Sequence, residues 1–307
     1  MVQVDQVRKI LAAELRRKLS DTPKKPFMRF ANYEFEGELK SAWDTISVPV
    51  SPKIVLNDVS GDGQPATIRA NSLADITATD RAITKSDLVI NKLHNYREKF
   101  SKLEEIQTLY SIKGNRLQDL VNGIETTVES SIITMVDAFF TSHSSQVITI
   151  STMSADTVAA EIMKLRTALS KKEVPMDNRI LIVSPDISGF IATAKILSGT
   201  EDAAKAAIEG WQGRFAGFDV YESNLIQDGC IYAFRAKSYN YVRQLIVADV
   251  TKATDWVYYN LLWQVAHWGK VFDQNAEQLF KMVVTGLNPT PTETETETET
   301  ETETETA

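Results

Sequence analysis

The stretch Gly213-Arg214-Phe215-Ala216-Gly217-Phe218-Asp219-Val220-Tyr221-Glu222-Ser223-Asn224 packs two glycines, a short alternation and a polar terminus into one compact segment. Gly213 and Gly217 let the backbone turn with no Cβ in the way. Phe218 and Val220 read as a half-buried strand, and Ser223-Asn224 supplies the turn that ends it.

Around this segment, residues 150–240 read as an alternating α/β unit. Val158, Ile162, Leu165 and Leu169 recur at helical spacing, and residues 179–183 form an apolar run fit for a buried strand. Further helices are expected over 187–197 and 201–209, and further strands over 218–221 and 231–234. Before this unit, Leu117, Leu120, Val121, Ile124, Val128, Ile132, Val136 and Phe140 sustain a helical stripe without proline, weakened only at Gly123. A helix of about 26 residues would run ~39 Å.

Between 31 and 98 the pattern changes to short strand-like runs. Ile46, Val48 and Val50 alternate with Thr45, Ser47 and Pro49; Ile54-Val55-Leu56, Ile83 and Leu88-Val89-Ile90 follow across a polar middle. The spacing predicts a long two-stranded ribbon, which cannot be stable alone and must rest on another element. After 240, Val257, Tyr259, Leu261 and Trp263 lead to a second apolar run at 280–284, again strand material.

A chain of 307 residues with 43% hydrophobic content can bury one large core or two ordinary ones. Its net charge of -8 sits at one end: the terminal Thr-Glu repeat carries seven Glu, so everything before it is close to neutral. Proteins that grip nucleic acid through phosphates carry a basic patch or stripe, so any DNA contact here is expected to be weak and non-specific. The one cysteine, Cys230, excludes an intrachain disulfide framework and a thiolate metal cluster. Asp5, Arg8 and Lys9 stand where a signal peptide needs its apolar centre, and no run approaches the roughly 18 apolar residues of a spanning helix. The expectation is a cytoplasmic product without a membrane partner.

The two ends differ in kind. Val4, Val7, Leu11, Leu15 and Leu19 form an apolar stripe with Arg8, Arg16, Arg17 and Lys18 mostly off it, and residues 1–30 hold eight Lys or Arg against three Asp or Glu. This is an amphipathic basic helix, either packed on its own domain or serving as an arm on a neighbour or on nucleic acid. The tail from Pro289 to Ala307 is a dipeptide repeat without apolar residues to offset the entropy of ordering, and is expected to be disordered.

The segment 213–224 resembles the G-R/K-V-A-G-F-D-V-Y-E-S-N stretch of tailed-phage major capsid proteins of the HK97 fold, in the branch related to P22 coat protein. Tyr33-Glu34-Phe35-Glu36-Gly37-Glu38-Leu39-Lys40 and Asp44-Thr45-Ile46-Ser47-Val48-Pro49 resemble the stretches that open that family's extended E-loop, and 179–189 resembles its R-W-L-V-V-S-P-E-V-Y-G. The resemblance implies an α+β HK97-like fold: an N-terminal arm (1–30), E-loop and flanks (31–98), a P domain with a spine helix (99–149), an A domain (150–240), P-domain return strands (241–286) and the tail (287–307).

It also implies function. The chain would self-assemble through pentamers and hexamers into an icosahedral head around double-stranded DNA, helped by separate scaffolding, portal and decoration proteins. Lys53, Asp58, Asp62 and Gly63 would belong to an intersubunit E-loop, and Arg8, Leu11, Leu15, Arg16 and Arg17 to arm contacts. Gly213, Gly217, Phe218, Tyr221, Ser223 and Asn224 would carry the A-domain signature, and Leu120, Ile124, Val128 and Val136 the core of the spine helix. Some family members crosslink a Lys to an Asn, but neither partner is matched here, so cohesion is expected to be non-covalent. A valine at 217 is expected to clash where the strand begins and block assembly. An encapsulin-like compartment uses the same shell; a small-molecule enzyme on the α/β segment or an adhesion protein with an acidic stalk are readings from other classes.

Candidate chemistry is thin. Asp58-Val59-Ser60-Gly61-Asp62-Gly63 begins like a calcium loop, but its twelfth position is Arg69 where a bidentate Glu is needed, so a turn is expected. Ser184-Pro185-Asp186 stands between strand and helix without the G-x-S-x-G glycines, and fits a helix cap by Ser184 or Asp186. His94, His143 and His267 share no metal or catalytic spacing, and Gly269-Lys270 lacks the rest of a P-loop. Trp256, Tyr258, Tyr259, Trp263, His267 and Trp268 are expected in core and subunit interface rather than in a stacking platform. No catalytic residue, cofactor or metal is expected.

Overall fold

The computed structural model describes residues 25–35, 45–50, 84–101, 111–194, 211–252 and 258–287. All five residues of strand β5 (Arg179–Val183) are buried, yet Ile180 and Ile182 join one apolar cluster while Leu181 and Val183 join another. Successive strand side chains point to opposite faces, so both faces of this strand must be covered. One cover is the long helix α2 (Ser111–Ser142) with the short α1 (Pro26–Phe30). The other is α3 (Val158–Lys171) with α4 (Pro185–Thr193).

The sheet between these covers also contains β4 (Val147–Met153), β6 (Trp211–Phe215), β7 (Phe218–Glu222), β8 (Cys230–Arg235) and β11 (Leu279–Leu287). Its order is β4-β11-β8-β5-β7-β6. The β4/β11 and β5/β7 pairs are parallel and the rest antiparallel. A second, antiparallel sheet has the order β3-β10-β9, from β3 (Lys92–Ser101), β9 (Asn240–Lys252) and β10 (Tyr258–Lys270). A four-residue helix, α5 (Asp273–Ala276), joins β10 to β11.

The expected ribbon exists: β1 (Thr45–Val50) pairs antiparallel with β2 (Thr84–Val89). It rests, as a two-stranded ribbon must, on other elements, with Val48, Leu88 and Ile90 packed among Val242, Ala266 and Phe272. The stretch 51–83 with Ile54-Val55-Leu56 and Ile83, the helix expected at 201–209, the basic helix and the repeat tail lie outside the described residues.

Three expectations change. The long helix has 32 residues rather than about 26, since it begins at Ser111 and continues through Gly114 before the apolar stripe starts at Leu117. Strand β4 was not expected as such: only His143 and a 3-10 turn at Ser144–Gln146 separate it from α2, with no Gly or Pro to mark the boundary. The return segment after 240 divides between the sheets, since β9 and β10 pair with each other while β11 inserts between β4 and β8.

The segment 213–224 is a hairpin covered on both faces. Phe215 pairs with Phe218, and the two residues between them, Ala216 and Gly217, have φ of 53° and 85°, as a two-residue type I′ loop demands. Gly213 sits in β6 with φ 145° beside the Trp211/Gly213 register shift, so it makes a bulge rather than the turn. Phe218 and Val220 belong to one cluster and Tyr221 to the other, which corrects the half-buried reading. A Cβ at Gly217 would meet nothing within 4 Å, so the clash expected of a valine there does not occur. Strain at positive φ remains: Gly217→Val is expected to cost about 1–2 kcal/mol of protomer stability in a denaturant titration.

Candidate functional site

Helix α2 ties the two sheets together, and its polar side chains show how. Asp137 accepts hydrogen bonds from Tyr232 Oη and Lys281 Nζ, both at 2.7 Å, which joins the helix to β8 and β11. Glu129, fully buried, accepts the backbone N–H of Phe27 at 3.0 Å and of Met28 at 2.9 Å. These are first-turn donors that α1 cannot satisfy internally. The helix is fixed at its carbonyls too, where Tyr239 Oη donates to Phe27 O and Tyr33 Oη to Met28 O, each at 2.6 Å. Burial pushes the Glu129 carboxyl up to about 7, against the lowering effect of its two N–H partners and Lys25.

Toward its N-terminal half, α2 draws away from β3 and β10 and leaves a cavity of about 420 Å³. Asp119, Leu120, Gly123, Ile124, Thr127 and Val128 line the helix side. His94, Asn95 and Tyr96 of β3 and Trp263, Val265 and His267 of β10 line the sheet side. The His94 and His267 rings stack with centroids 4.8 Å apart, and Tyr241 Oη lies 2.5 Å from His267 Nδ1. Burial, with help from His94 and Lys92, pushes His267 down to about 3, so its imidazole is neutral near neutral pH. Burial and Lys92 lower His94 as well. Among the described residues, His267 Nε2 and Trp263 Nε1 are buried without a hydrogen-bond partner.

The expected site residues are scattered over these features. Gly213, Gly217, Phe218, Tyr221, Ser223 and Asn224 are together in the β6–β7 hairpin and the turn after it. Ser223 is buried and Asn224 exposed. Val128 and Val136 are in the core, whereas Leu120 and Ile124 are only half-buried because they face the cavity. Lys53, Asp58, Asp62, Gly63, Arg8, Leu11, Leu15, Arg16 and Arg17 lie outside the described residues, as does Trp256.

Ser184 is the residue before α4, but its hydroxyl makes no capping bond; it accepts the Gly229 N–H at 3.2 Å. Pro185 at the first helical position needs no acceptor, which removes part of the reason for a cap. Of the aromatic group, Trp263 and His267 are buried and Trp268 half-buried. Among the described residues no His, Cys, Asp or Glu group is placed to hold a metal, and no helix is long and apolar enough to cross a membrane.

The His94–His267 pair was invisible to motif spacing because it is made by strand pairing. His94 stands opposite Val265 in the β3/β10 register, two residues from His267, within reach of ring contact on a diagonal. Only the pairing of two strands more than a hundred residues apart could have revealed it.

No family model matches the chain, and no curated protein matches it. Solved structures do resemble it in fold. A chain of Mycobacterium phage Che8 is 17% identical over 84% of this chain and 90% of its own, with a TM-score of 0.58. The capsid of cyanophage P-SCSP1u gives 11% identity, 82% and 85% coverage, and a TM-score of 0.55. The virus-like particle from Pyrococcus furiosus gives 13% identity, 88% and 98% coverage, and a TM-score of 0.51. The arrangement described above is therefore an HK97-like α+β fold; these likenesses do not single out the P22-related branch.

Proposed function

We propose that this chain is the major capsid protein of a tailed bacteriophage, assembling through pentamers and hexamers into an icosahedral head around double-stranded DNA. The observation that carries the reading is the fold, shared over most of the chain with phage capsid structures. The 213–224 segment, folded as a hairpin next to the α/β core, adds support independent of overall shape. In this reading α2 and the three-stranded sheet form the P domain, and the six-stranded sheet with α3 and α4 forms the A domain. The β1–β2 ribbon is the base of an E-loop that reaches a neighbour through Lys53, Asp58, Asp62 and Gly63. Arg8, Leu11, Leu15, Arg16 and Arg17 act in an arm between subunits. The mechanism is assembly, with no residue called on to do covalent chemistry. Synthesis takes place in the host cytoplasm, and the virion capsid is the final location. Scaffolding, portal and decoration proteins complete the set of partners.

Electron microscopy in negative stain tests this directly, on the chain alone and co-expressed with the proteins encoded beside it. Closed polyhedral shells are expected. Shells that take up DNA support the phage head, and shells that enclose a protein cargo would favour the encapsulin-like alternative. Uniformly small particles under both conditions would sink the shell reading altogether.

A further inference from the structure

We propose that the acidic repeat, residues 293–305, docks on a basic surface of its own chain formed by Lys25, Arg29 and Lys237, and shields that surface from other polyanions while the chain is unassembled. The inference goes beyond the shell reading and does not depend on it.

Positive charge is left unbalanced around α1. Arg29 N donates to Lys25 O at 3.0 Å, one helical turn, so the two side chains leave the helix on one face. Lys237 N donates to Phe30 O at 2.8 Å, which sets a third cation at the end of the same helix. Lys25 and Arg29 are half-buried and Lys237 is exposed. None of the three makes an ion pair among the described residues, whereas Lys164, Lys172, Arg235 and Lys281 are each held by a carboxylate. Glu129 beneath α1 does not balance them at the surface, because it is buried and committed to backbone N–H groups. Glu34 supplies one negative charge on this segment, but residues 1–24 add six Lys or Arg against three Asp or Glu.

The repeat is the complement in charge and in spacing. It carries seven Glu, one at every second position, in a chain that is otherwise close to neutral. In an extended chain such carboxylates stand on one side roughly 7 Å apart. Lys25 and Arg29, one turn apart on a helix, are about 5–6 Å apart at Cβ. Neighbouring carboxylates can therefore meet neighbouring cations.

The tether has the right length. Strand β11 begins beside this surface, where Leu279 pairs with Phe234 and Arg235 N donates to Gln278 O at 3.3 Å. Its nine residues carry the chain roughly 27 Å away to Leu287. Twenty residues follow, and a polar chain of that length averages about 25 Å end to end. Effective concentration is greatest when the tether matches the span. Each exposed pair contributes little by itself, so several must act together, and salt must weaken them. DNA offers the same kind of charge only as a second molecule, without the tether.

Carbodiimide coupling of Lys to Glu, mapped by mass spectrometry on the unassembled full-length chain, tests the contact. Crosslinks from 293–305 to Lys25 or Lys237 are expected at least about five-fold more often than to the exposed Lys164 or Lys172, and should disappear at about 0.5 M NaCl. In an equal mixture of unlabelled and nitrogen-15-labelled chains, they should stay within one label. Crosslinks spread evenly over these lysines, or joining one label to the other, would overturn the docking. Binding of a short DNA duplex tests the shielding. Replacing the seven Glu by Gln is expected to tighten binding about ten-fold at low salt, but less than about two-fold when Lys25→Gln, Arg29→Gln and Lys237→Gln are already present. Equal gains in both backgrounds would mean that the repeat acts through net charge alone, which would overturn the shielding.

Discussion

Phe27→Ala lowers the unfolding free energy of the protomer by about 3–5 kcal/mol, the range for emptying a fully buried aromatic site. Phe27 is 0% exposed. Its ring meets Tyr232 edge-on at 5.3 Å and stacks near Phe234 at 6.0 Å, so it locks a five-residue helix onto strand β8. A helix that short has no stability of its own. It exists because Glu129 takes its first N–H groups, Tyr239 and Tyr33 take its carbonyls, and Phe27 fills the core. The truncation keeps every one of those hydrogen bonds and removes only the packing. Denaturant unfolding of unassembled protomers measures the loss. A loss below about 1 kcal/mol would mean that α1 is not part of the cooperative core. Phe27→Leu, which restores most of the volume, should recover the larger share.

That anchor was hidden in the sequence for a physical reason. Residues 25–31 read as the end of a basic arm because local charge there is high, and five residues leave no periodicity to detect. What fixes them is a glutamate a hundred positions away, and a glutamate on a helix stripe reads as a solvated face. By contrast, β5, α3 and the ribbon β1–β2 were legible, since each follows a single period set by one buried face or by full burial. The apolar stripe on α2 was legible as a helix, but not its division of labour. Val136 enters a core, Leu120 lines a cavity, and Ile124 and Val128 between them touch both. The five-residue run at 280–284 was legible as a strand and not as a member of a particular sheet, because strand order is decided by non-local pairing. The same limit hid the histidine stack.

Acid tolerance should depend on two buried groups that oppose each other. His267 has a folded-state value of about 3 against an ordinary 6.5, with Lys92 and His94 on β3 and Tyr241 on β9 facing it. Its contribution is fully present above pH 6.5 and is lost as pH falls toward 3, on the order of 4 kcal/mol over the whole window. Glu129 behaves in reverse: its value is raised from 4.5 to about 7, with Lys25, Glu125 and the two N–H groups of α1 around it. The folded state then holds a proton that the unfolded state has released, so its contribution is greatest below pH 4.5 and declines as pH rises to 7, by about 3 kcal/mol. Between pH 4.5 and 6.5 the two slopes cancel, and the protomer should show nearly constant stability from this pair. His267→Asn, which keeps an acceptor for Tyr241, should unmask Glu129 and make the protein more stable at pH 4.5 than at pH 7. Glu129→Gln should unmask His267 and give stability that falls steadily from pH 6.5 downward. Urea midpoints at half-unit steps of pH for the wild type and both variants decide the matter. Two variants with the same slope would contradict the assignment, because a general loss of packing lowers the curve without tilting it in opposite directions.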